Sequence, residues 1–392
     1  MLRHDHWPTR WFPMLRDIDP NPTFPPDNDT YKFVRVEGDG VYEIPVGPVH
    51  AGLIEPGHFR FSVVGETILR MKARLWFLHR GVEKLFEGRR PEEGIELAER
   101  ISGDTAVGHT LAYVMAVEDA AGIEVPEGDR VARALLLELE RMHNHVNDLG
   151  ALANDVGYGI ANAHLQRLRE RLLRHNQHVT GHRLLRGSIG IGSGALLSSP
   201  DLDLVRAVAD ETAEVVGITL ANSVVHDRFT GTAVLDHEQA LLLGTRGHVA
   251  RGSGIDTDAR RDHSFVDLGE AFDVVVEKGG DVMARYLVRA RELAVSAALV
   301  EDLAARLAAP PGERTSVTTH AAGAGLGIVE AWRGALVHRV ELDAAGALSR
   351  VKIVDPSFLN WPALPVSLAD TIVPDFPLAN KSFNQSYAGN DL

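Results

Sequence analysis

The sequence predicts an α+β protein with a central bundle of long helices, a small N-terminal antiparallel sheet and a C-terminal β region. Two patterns predict this class. From residue 74 to residue 309 apolar residues recur at three- and four-residue spacing, whereas residues 41–73 and 310–354 contain short alternating runs. A chain of 392 residues is also long enough for two or three packed modules around a large core.

The N-terminal part divides into two predicted segments. Residues 1–40 carry many Pro, Asp and Trp without a period, which predicts an extended segment that lies on a surface. Residues 41–73 contain the alternating runs VYEIPV, HFRFSVV and TILRMKA, which predict three strands. Gly65-Glu66 is the predicted hairpin turn between the last two of them.

The remaining chain divides into a predicted helical bundle, a β region and a tail. Within the predicted bundle, residues 74–309, Gly and Pro fall mostly at the breaks between helices. Residues 310–354 contain the strand-like runs TSVTTH, GIVEAW, ALVHRVEL and SRVKIV, and residues 355–392 form a Pro-rich tail. The clearest helix carries a heptad-like apolar stripe of Leu135, Leu139, Met142, Val146, Leu149, Ala153 and Val156.

The composition excludes several classes of function. The chain has 40 Lys and Arg against 54 Asp and Glu, a formal net charge of -14, and no Cys. Without cysteine it cannot form disulfides, thiolate zinc sites or iron–sulfur sites. An acidic chain without a basic tract does not fit a nucleic-acid binder. The sequence shows neither a long apolar run nor a start typical of a secretory signal, which predicts a cytoplasmic protein.

Two loop histidines are the first candidate site. His50 and His58 lie in GPVHAGLIEPGHF, a segment rich in Gly and Pro, where imidazoles can project into a cleft and exchange protons near neutral pH. The alternative is two loop histidines that make ordinary hydrogen bonds.

The segment ERISGDTAVGHTLAY is the second candidate. Ser102, Thr105 and His109 recur at i, i+3 and i+7, which places them on one face of a predicted helix with Asp104 beside them. Small hydroxyl groups and one imidazole would line a polar pocket. The alternative is a helix start capped by Ser102 or Asp104.

A row of charged residues on the clearest helix is the third candidate. The row consists of Glu138, Arg141, His145, Asp148 and Asp155 and lies beside the apolar stripe. Titratable groups that are partly screened from water could form a proton path or anchor a substrate. The alternative is a solvated helix face.

A glycine-rich run could be mistaken for a nucleotide loop. GSIGIGSG, residues 187–194, lacks the flanking strand, helix and acidic partner of a dinucleotide-binding site. Close backbone packing or a turn is therefore the expected use of these glycines.

Taken in order, these segments resemble the large subunit of membrane-bound, energy-converting nickel-iron hydrogenases and its relative, the quinone-site subunit of respiratory complex I. The resemblance runs from about residue 41 to the end of the sequence. It implies the fold of the hydrogenase large subunit. It rests on GPVHAGLIEPGHFRF, LHRGVEKLFEG, ERISGDTAVGHTLAY, HNHVNDLGALANDVGY, RGSIGIGSG, ARGSGIDTDARRDH, GGDVMARYLVRARE and SRVKIVDPSF.

The departure from the hydrogenases concerns the metal ligands. In that family two Cys-x-x-Cys pairs hold nickel and iron, and the matching positions here are Ser102, Thr105, Ser357 and Asn360. Hydroxyl and amide groups are poor ligands for a site that prefers soft thiolates. The resemblance therefore implies a protein that holds no metal and does not activate hydrogen, with these four residues lining an emptied cavity.

The chain also departs from the quinone-site subunit of complex I. The family's quinone-contacting Tyr falls at about Gly103, the loop histidines stand eight residues apart, and Asp355-Pro356 is of the hydrogenase type. The chain is thereby identified as a member of the cysteine-free, energy-converting-hydrogenase-related type. Metal-bearing relatives are clipped near the last Cys pair, whereas this tail, residues 355–392, is expected to remain and to complete the cavity. It would pack against a membrane partner or cover the core.

The resemblance implies roles for the candidate residues. His50 or His58 would hydrogen-bond the acceptor, Asp155 would set the protonation of a loop histidine, and His109 with Asp104 would relay protons. The chain itself would bind no cofactor.

The implied function is that of a peripheral subunit on the cytoplasmic side of a membrane, in an ion-translocating oxidoreductase complex of the NADH-quinone oxidoreductase or hydrogenase type. Its partners would be an iron–sulfur small subunit that delivers electrons, a complex I-like accessory subunit and antiporter-like membrane subunits. A quinone or another small acceptor would be the substrate, and the chain is not expected to be active alone. The alternative is a catalytically silent scaffold that bridges the soluble and membrane modules.

Overall fold

An antiparallel sheet of three strands begins the fold of the computed structural model, which describes residues 34–48, 55–307 and 322–392. Strands β1 (Val41–Val46), β2 (His58–Val64) and β3 (Thr67–Arg74) pair in that order, and Gly65 makes the predicted hairpin turn with φ of 58°. Most of the predicted extended segment, residues 1–40, lies outside the described residues.

The helices of the middle segment form a bundle around α4, as the apolar stripe predicts. From Leu135 to Ala153 every residue of the stripe is fully buried, because it faces the other helices. The helices are α1 (Val82–Phe86), α2 (Pro91–Ala98), α3 (Ala106–Ala121), α4 (Glu127–Asp155), α5 (Gly159–Thr180), α6 (Leu202–Ala221), α7 (Ser223–Phe229), α8 (His237–Leu243), α9 (Gly247–Gly252), α10 (Ala259–Asp262) and α11 (Val282–Arg306). No helix among the described residues is both long and apolar enough to cross a bilayer.

The glycine-rich run is a small hairpin that packs on the bundle, as expected. Strands β4 (Ile189–Gly190) and β5 (Ser193–Gly194) pair antiparallel. The Arg133 guanidinium donates to the carbonyl oxygens of Gly190 and Ser193 at 2.8 and 3.1 Å. A Cβ at Gly194 would lie 3.0 Å from the Asp129 carbonyl oxygen, so the close approach of β5 to α4 favours glycine there.

A second sheet of three strands packs on α3. Strands β6 (Gly323–Ala331), β7 (Gly334–Leu342) and β8 (Leu348–Val354) are antiparallel and neighbours in that order. Alternate residues of β6 face the helix, and three of them are glycines. A Cβ at Gly325 would lie 2.2 Å from the Ala116 carbonyl oxygen, and one at Gly327 would lie 2.0 Å from that of Ala112. The predicted run TSVTTH lies outside the described residues.

The Pro-rich tail folds into four short helices. They are α12 (Pro356–Asn360), α13 (Ala363–Ser367), α14 (Phe376–Phe383) and α15 (Tyr387–Asp391). Trp361, Leu364 and Phe383 are buried and join Phe59 and Phe61 of the first sheet in one apolar cluster. The tail therefore covers the core beneath the N-terminal sheet.

Candidate functional site

The four residues that the resemblance places at the metal-ligand positions lie in two buried segments, the turn before α3 and the short helix α12, which we call the two ligand turns. Ser102 and Thr105 precede α3, and Ser357 and Asn360 lie on α12, with exposed fractions of 2, 2, 0 and 0%. The prediction that Ser102, Thr105 and His109 share one helix face was wrong, because α3 begins only at Ala106 and Ser102 lies in the turn before it.

The start of α3 is capped from another helix. Thr105 occupies the N-cap position of α3, and its side chain makes no capping hydrogen bond. The predicted cap by Ser102 or Asp104 is therefore absent. Instead, the Glu140 carboxylate of α4 accepts the N–H groups of Val107 and Gly108 at 2.7 and 2.9 Å. Burial raises the pKa of Glu140 to about 8, although these two N–H groups lower it.

Asp104 is held by an arginine in the turn between β6 and β7. Both Asp104 oxygens lie 2.6 Å from the Arg333 guanidinium, and the hydroxyls of Ser102 and Thr105 donate to Oδ1 at 3.0 Å. Burial raises the pKa of Asp104, but Arg333 outweighs burial and holds that pKa far below its usual range. The guanidinium also lies 3.9 Å from the centre of the Trp332 ring. Asp104 is therefore a fixed carboxylate.

His109 belongs to a different buried group. Its Nε2 lies 3.1 Å from Asp355 Oδ2, and its Nδ1 lies 3.1 Å from Nε2 of His338 on β7. Burial lowers the pKa of His338 well below its ordinary value, and the His109 ring lowers it further. The direct partner of His109 is thus Asp355, and the predicted relay between His109 and Asp104 has no direct contact to use.

A serine of the tail lies between the two former ligand turns. Ser386 Oγ is 2.8 Å from Ser102 Oγ, and the Ser386 N–H donates to Ser357 Oγ at 2.9 Å. Gly389 N–H donates to the same Ser386 hydroxyl at 2.9 Å. Polar atoms of Ser386 therefore lie between Ser102 and Ser357.

The donor set at the four positions does not fit a nickel-iron centre. Besides the bonds above, Thr105 Oγ1 accepts Trp332 Nε1–H at 3.1 Å, and Asn360 bonds both backbone groups of Arg246 at 2.8 and 3.1 Å. Neutral oxygen and amide donors that already bond protein groups cannot replace bridging thiolates. Over the described part of the chain, no group of three or more His, Cys, Asp or Glu is arranged to hold a metal ion.

The charged row on α4 is buried for most of its length. Glu138, Arg141, His145 and Asp148 are 0–1% exposed, so the solvated-face alternative is wrong for these four. Asp155 differs, because it ends the helix with an exposed side chain. Crowding by neighbouring atoms raises the pKa of Asp155 to about 6, although the Lys381 ammonium lowers it.

Asp148, the last residue of the buried row, joins the first ligand turn to α11. Arg333 Nε donates to the Asn384 carbonyl oxygen at 2.6 Å, and Asn384 Nδ2 donates to both Asp148 oxygens at 2.8 Å. Arg289 of α11 lies 3.1 Å from Asp148. Burial raises the pKa of Asp148, but Lys381 and Arg289 together hold it below its usual range.

A second group of contacts joins α11 to α9, β6 and α10. Glu292 lies one turn beyond Arg289; it bonds His145 Nε2 at 2.8 Å and Arg251 Nε at 2.8 Å. Arg251 also reaches Glu330 of β6 at 2.7 Å. Arg251 also lies 3.4 Å from Asp258, which bonds Arg260 at 2.7 Å. Arg260 in turn lies 3.2 Å from Glu138, and Glu138 bonds Arg141 at 3.1 Å.

We call this set the buried ionic chain. It runs from Asp104, whose side chain is 39% exposed, to Arg141, which is fully buried. Its two halves meet on α11, where Arg289 and Glu292 lie one turn apart and attract each other through their charges. Its members are Asp104, Arg333, Asn384, Asp148, Arg289, Glu292, Arg251, Glu330, Asp258, Arg260, Glu138 and Arg141.

The loop histidines are only partly described. His50 lies outside the described residues. His58 begins β2, is half-buried, and has Nδ1 at 3.2 Å from the Gly47 carbonyl oxygen. The predicted pairing of Asp155 with a loop histidine therefore stays a prediction.

Several residues of the site were not predicted. The sequence did not indicate Ser386, Arg333 or Glu140, because the role of each depends on contacts between distant parts of the chain. A signal did exist for α11, where Arg285, Arg289, Glu292 and Ser296 recur at four- and three-residue spacing and are fully buried.

The chain matches two family models, in adjacent regions. Residues 155–321 match the 49 kDa subunit of respiratory-chain NADH dehydrogenase, and residues 80–152 match nickel-dependent hydrogenases.

Individual relatives cover most of the chain. It is 33% identical to formate hydrogenlyase subunit 5 of Escherichia coli, over 99% of this chain and 70% of that protein. It is 32% identical to the membrane-bound hydrogenase subunit alpha of Pyrococcus furiosus, over 89% and 87%. It is 30% identical to the NADH-quinone oxidoreductase D 2 subunit of Koribacter versatilis, over 86% and 92%.

The fold matches a chain in the structure of the membrane-bound sulfane sulfur reductase, an archaeal respiratory membrane complex. The TM-score is 0.78 at 26% identity, covering 90% of this chain and 99% of the other. The predicted α+β class with a hydrogenase-like helical centre is confirmed. The chain belongs to the family that unites the large subunits of membrane-bound, group 4 nickel-iron hydrogenases with the D-type subunits of NADH-quinone oxidoreductases.

Proposed function

We propose that this chain is the metal-free, hydrogenase-like large subunit of a membrane-bound, ion-translocating oxidoreductase complex related to complex I. The observation that carries the proposal is the buried ionic chain, which connects the former ligand turn at Asp104 with Arg141 deep in the bundle. A protein that only filled space would gain little from so many desolvated charges, because well-packed apolar residues stabilise a core at least as well.

Electrons would arrive from an adjacent iron–sulfur subunit, since this chain has no cysteine with which to hold a cluster. A quinone or another small acceptor would bind at the outer face of the ligand turn. Gly103 is exposed there, and a Cβ built on it meets no atom within 4 Å. The other partners would be a complex I-like accessory subunit and antiporter-like membrane subunits, with this chain on the cytoplasmic side.

Reduction of the acceptor would act on the chain through charge. A negative charge that forms beside Asp104 weakens the hold of Asp104 on Arg333, because both anions then compete for one guanidinium. Arg333 also bonds the Asn384 carbonyl, and Asn384 bonds Asp148, so a shift of Arg333 alters the balance between Asp148 and Arg289. Charge changes would in this way pass along α4 and α11 towards the membrane partners.

The test places a large side chain on the outer face of the turn. In the assembled complex, Gly103→Trp is expected to lower acceptor reduction at least about tenfold while the subunits still co-purify, since the indole would occupy the space of the acceptor. Gly128→Trp is the matched control, because Gly128 is also exposed and its Cβ also meets no atom within 4 Å. Equal rates for the two variants would contradict an acceptor at this face.

A second candidate function is the silent scaffold. The position of Ser386 between Ser102 and Ser357 favours it, because Ser386 bonds both residues. A scaffold that only bridges modules predicts that Gly103→Trp leaves both assembly and turnover unchanged. The polypeptides that co-purify with the chain give a further test, since the proposed function requires a cluster-bearing subunit beside antiporter-like membrane proteins.

Asp155 gives a test by pH. Since its raised pKa of about 6 makes the carboxyl neutral below that pH and charged above it, turnover that depends on its charge should change between about pH 5 and pH 7. Asp155→Asn removes the titration, and the pH profile of acceptor reduction should flatten in that window. Asp210→Asn, on the surface of α6, is the control. Unchanged turnover, ion pumping and pH profile in Asp155→Asn would remove Asp155 from the scheme.

A further inference from the structure

The segment Asn384–Asp391 is tied to both former ligand turns. Ser386 bonds Ser102 of the first turn and Ser357 of the second, so a single residue lies between the positions of the two lost Cys pairs. Ser386 is itself only 5% exposed. The hydrogen-bonding groups of the two serines are thereby satisfied inside the protein.

The start of the segment is fixed by its backbone and by Asp148. Asn384 adopts a left-handed conformation, with φ of 44°, which reverses the chain after α14. Its amide bonds Asp148 and its carbonyl oxygen accepts from Arg333 at 2.6 Å. The segment is thus joined to the buried ionic chain.

The rest of the segment fits closely against its surroundings. A Cβ at Gly389 would lie 2.4 Å from Asp355 Oδ2, so the backbone passes directly over that carboxylate. The Tyr387 ring lies 4.9 Å from that of Trp361. Asp391 Oδ2 accepts the Leu78 N–H at 2.9 Å. Contacts at both ends hold the segment in place.

We propose that the segment Asn384–Asp391 is a permanent occupant of the metal position, so that this chain excludes a metal by space as well as by its lack of cysteine. The position of the metals follows from the family, whose Cys pairs match the two turns. The inference does not require an acceptor at Gly103, and it stands or falls separately from the proposed function.

The first test uses the absence of cysteine. Ser102→Cys combined with Ser386→Cys introduces two thiols where the hydroxyl oxygens lie 2.8 Å apart. The reduced double variant is refolded in a mixture of reduced and oxidised glutathione, in which the two protein thiols become one disulfide and one oxidised glutathione becomes two thiols. We expect complete loss of free thiol and an intramolecular cross-link in a protein that folds as the unaltered chain does, with both single variants keeping their thiol. A double variant that refolds with both thiols free, or that folds only when reduced, overturns the proposal.

The second test restores the ligands. The full chain with Ser102→Cys, Thr105→Cys, Ser357→Cys and Asn360→Cys is exposed to Zn²⁺, which four thiolates bind tightly. With Ser386 in place the folded variant should retain less than about a tenth of an equivalent after gel filtration, although its unfolded form offers four free thiols. Uptake of about one Zn²⁺ per folded chain, with a melting temperature raised by the metal, overturns the proposal.

Discussion

Replacing Arg251 by Met is expected to lower the free energy of unfolding by about 3–5 kcal/mol, because the change leaves buried carboxylates without their shared cation. Arg251 is 0% exposed and bonds Glu292 at 2.7 Å and Glu330 at 2.7 Å. Burial raises the pKa of Glu292, and Arg251 is the main group that outweighs burial and holds that pKa well below its usual value. The variant removes this group, so the buried carboxylates lose the charge that compensates them. Urea unfolding followed by circular dichroism measures the loss.

The matched control is Arg261→Met on the neighbouring helix. Arg261 bonds Asp256 at 2.7 Å and Asp262 at 2.9 Å, but its side chain is 44% exposed. Exposed pairs of this kind contribute about 0–1 kcal/mol, since water solvates the charges equally well. Equal losses in Arg251→Met and Arg261→Met would mean that water reaches the ion pairs of Arg251 with Glu292 and Glu330.

Replacing Gly327 by Val is expected to destabilise the protein by at least about 3 kcal/mol, at the upper end of what overpacking costs. The new Cβ would lie 2.0 Å from the Ala112 carbonyl oxygen, and neither that backbone of α3 nor β6 can move without separating helix from sheet. We expect most of the variant to be insoluble, and the soluble fraction to melt at a lower temperature.

Leu326→Val controls for the β-branched side chain in the same strand. Leu326 is 46% exposed and points away from α3, so the substitution should shift the melting temperature only slightly. A soluble Gly327→Val protein with the melting temperature of Leu326→Val would contradict the close packing of β6 on α3.

The sequence predicts the order of elements in this fold because each element has its own period. The apolar stripe from Leu135 to Ala153 predicts the helix α4, and the alternating runs predict the strands β6, β7 and β8. The tail was predicted less well, because its prolines were taken as signs of irregular structure, whereas three of its four short helices begin at or near a Pro. Periodicity gives no information on such short helices.

The candidate site could be predicted only in part. Motif order predicts the four ligand positions, and this stays a prediction. The sequence also shows the charged row from Glu138 to Asp148, but it does not show whether water covers that row. Spacing alone cannot answer that question, because a buried and a solvated charged stripe have the same period. The structure shows that the row is buried against a second charged stripe, on α11. There Arg289 pairs with Asp148 of the row, and Glu292 bonds His145. Ser386 could not be found, because a serine in a tail has no motif that names its partner.

Dissolved salt should distinguish the two kinds of ion pair in this molecule. Counterions weaken charges that they can approach, and they approach the side chains of Arg206 and Asp203, which are 51% and 94% exposed. They cannot reach the pair of Arg251 and Glu292, where both side chains are 0% exposed. The helical bundle should therefore stay folded at high salt concentration, and any local unfolding should begin at the exposed ion pairs of the surface.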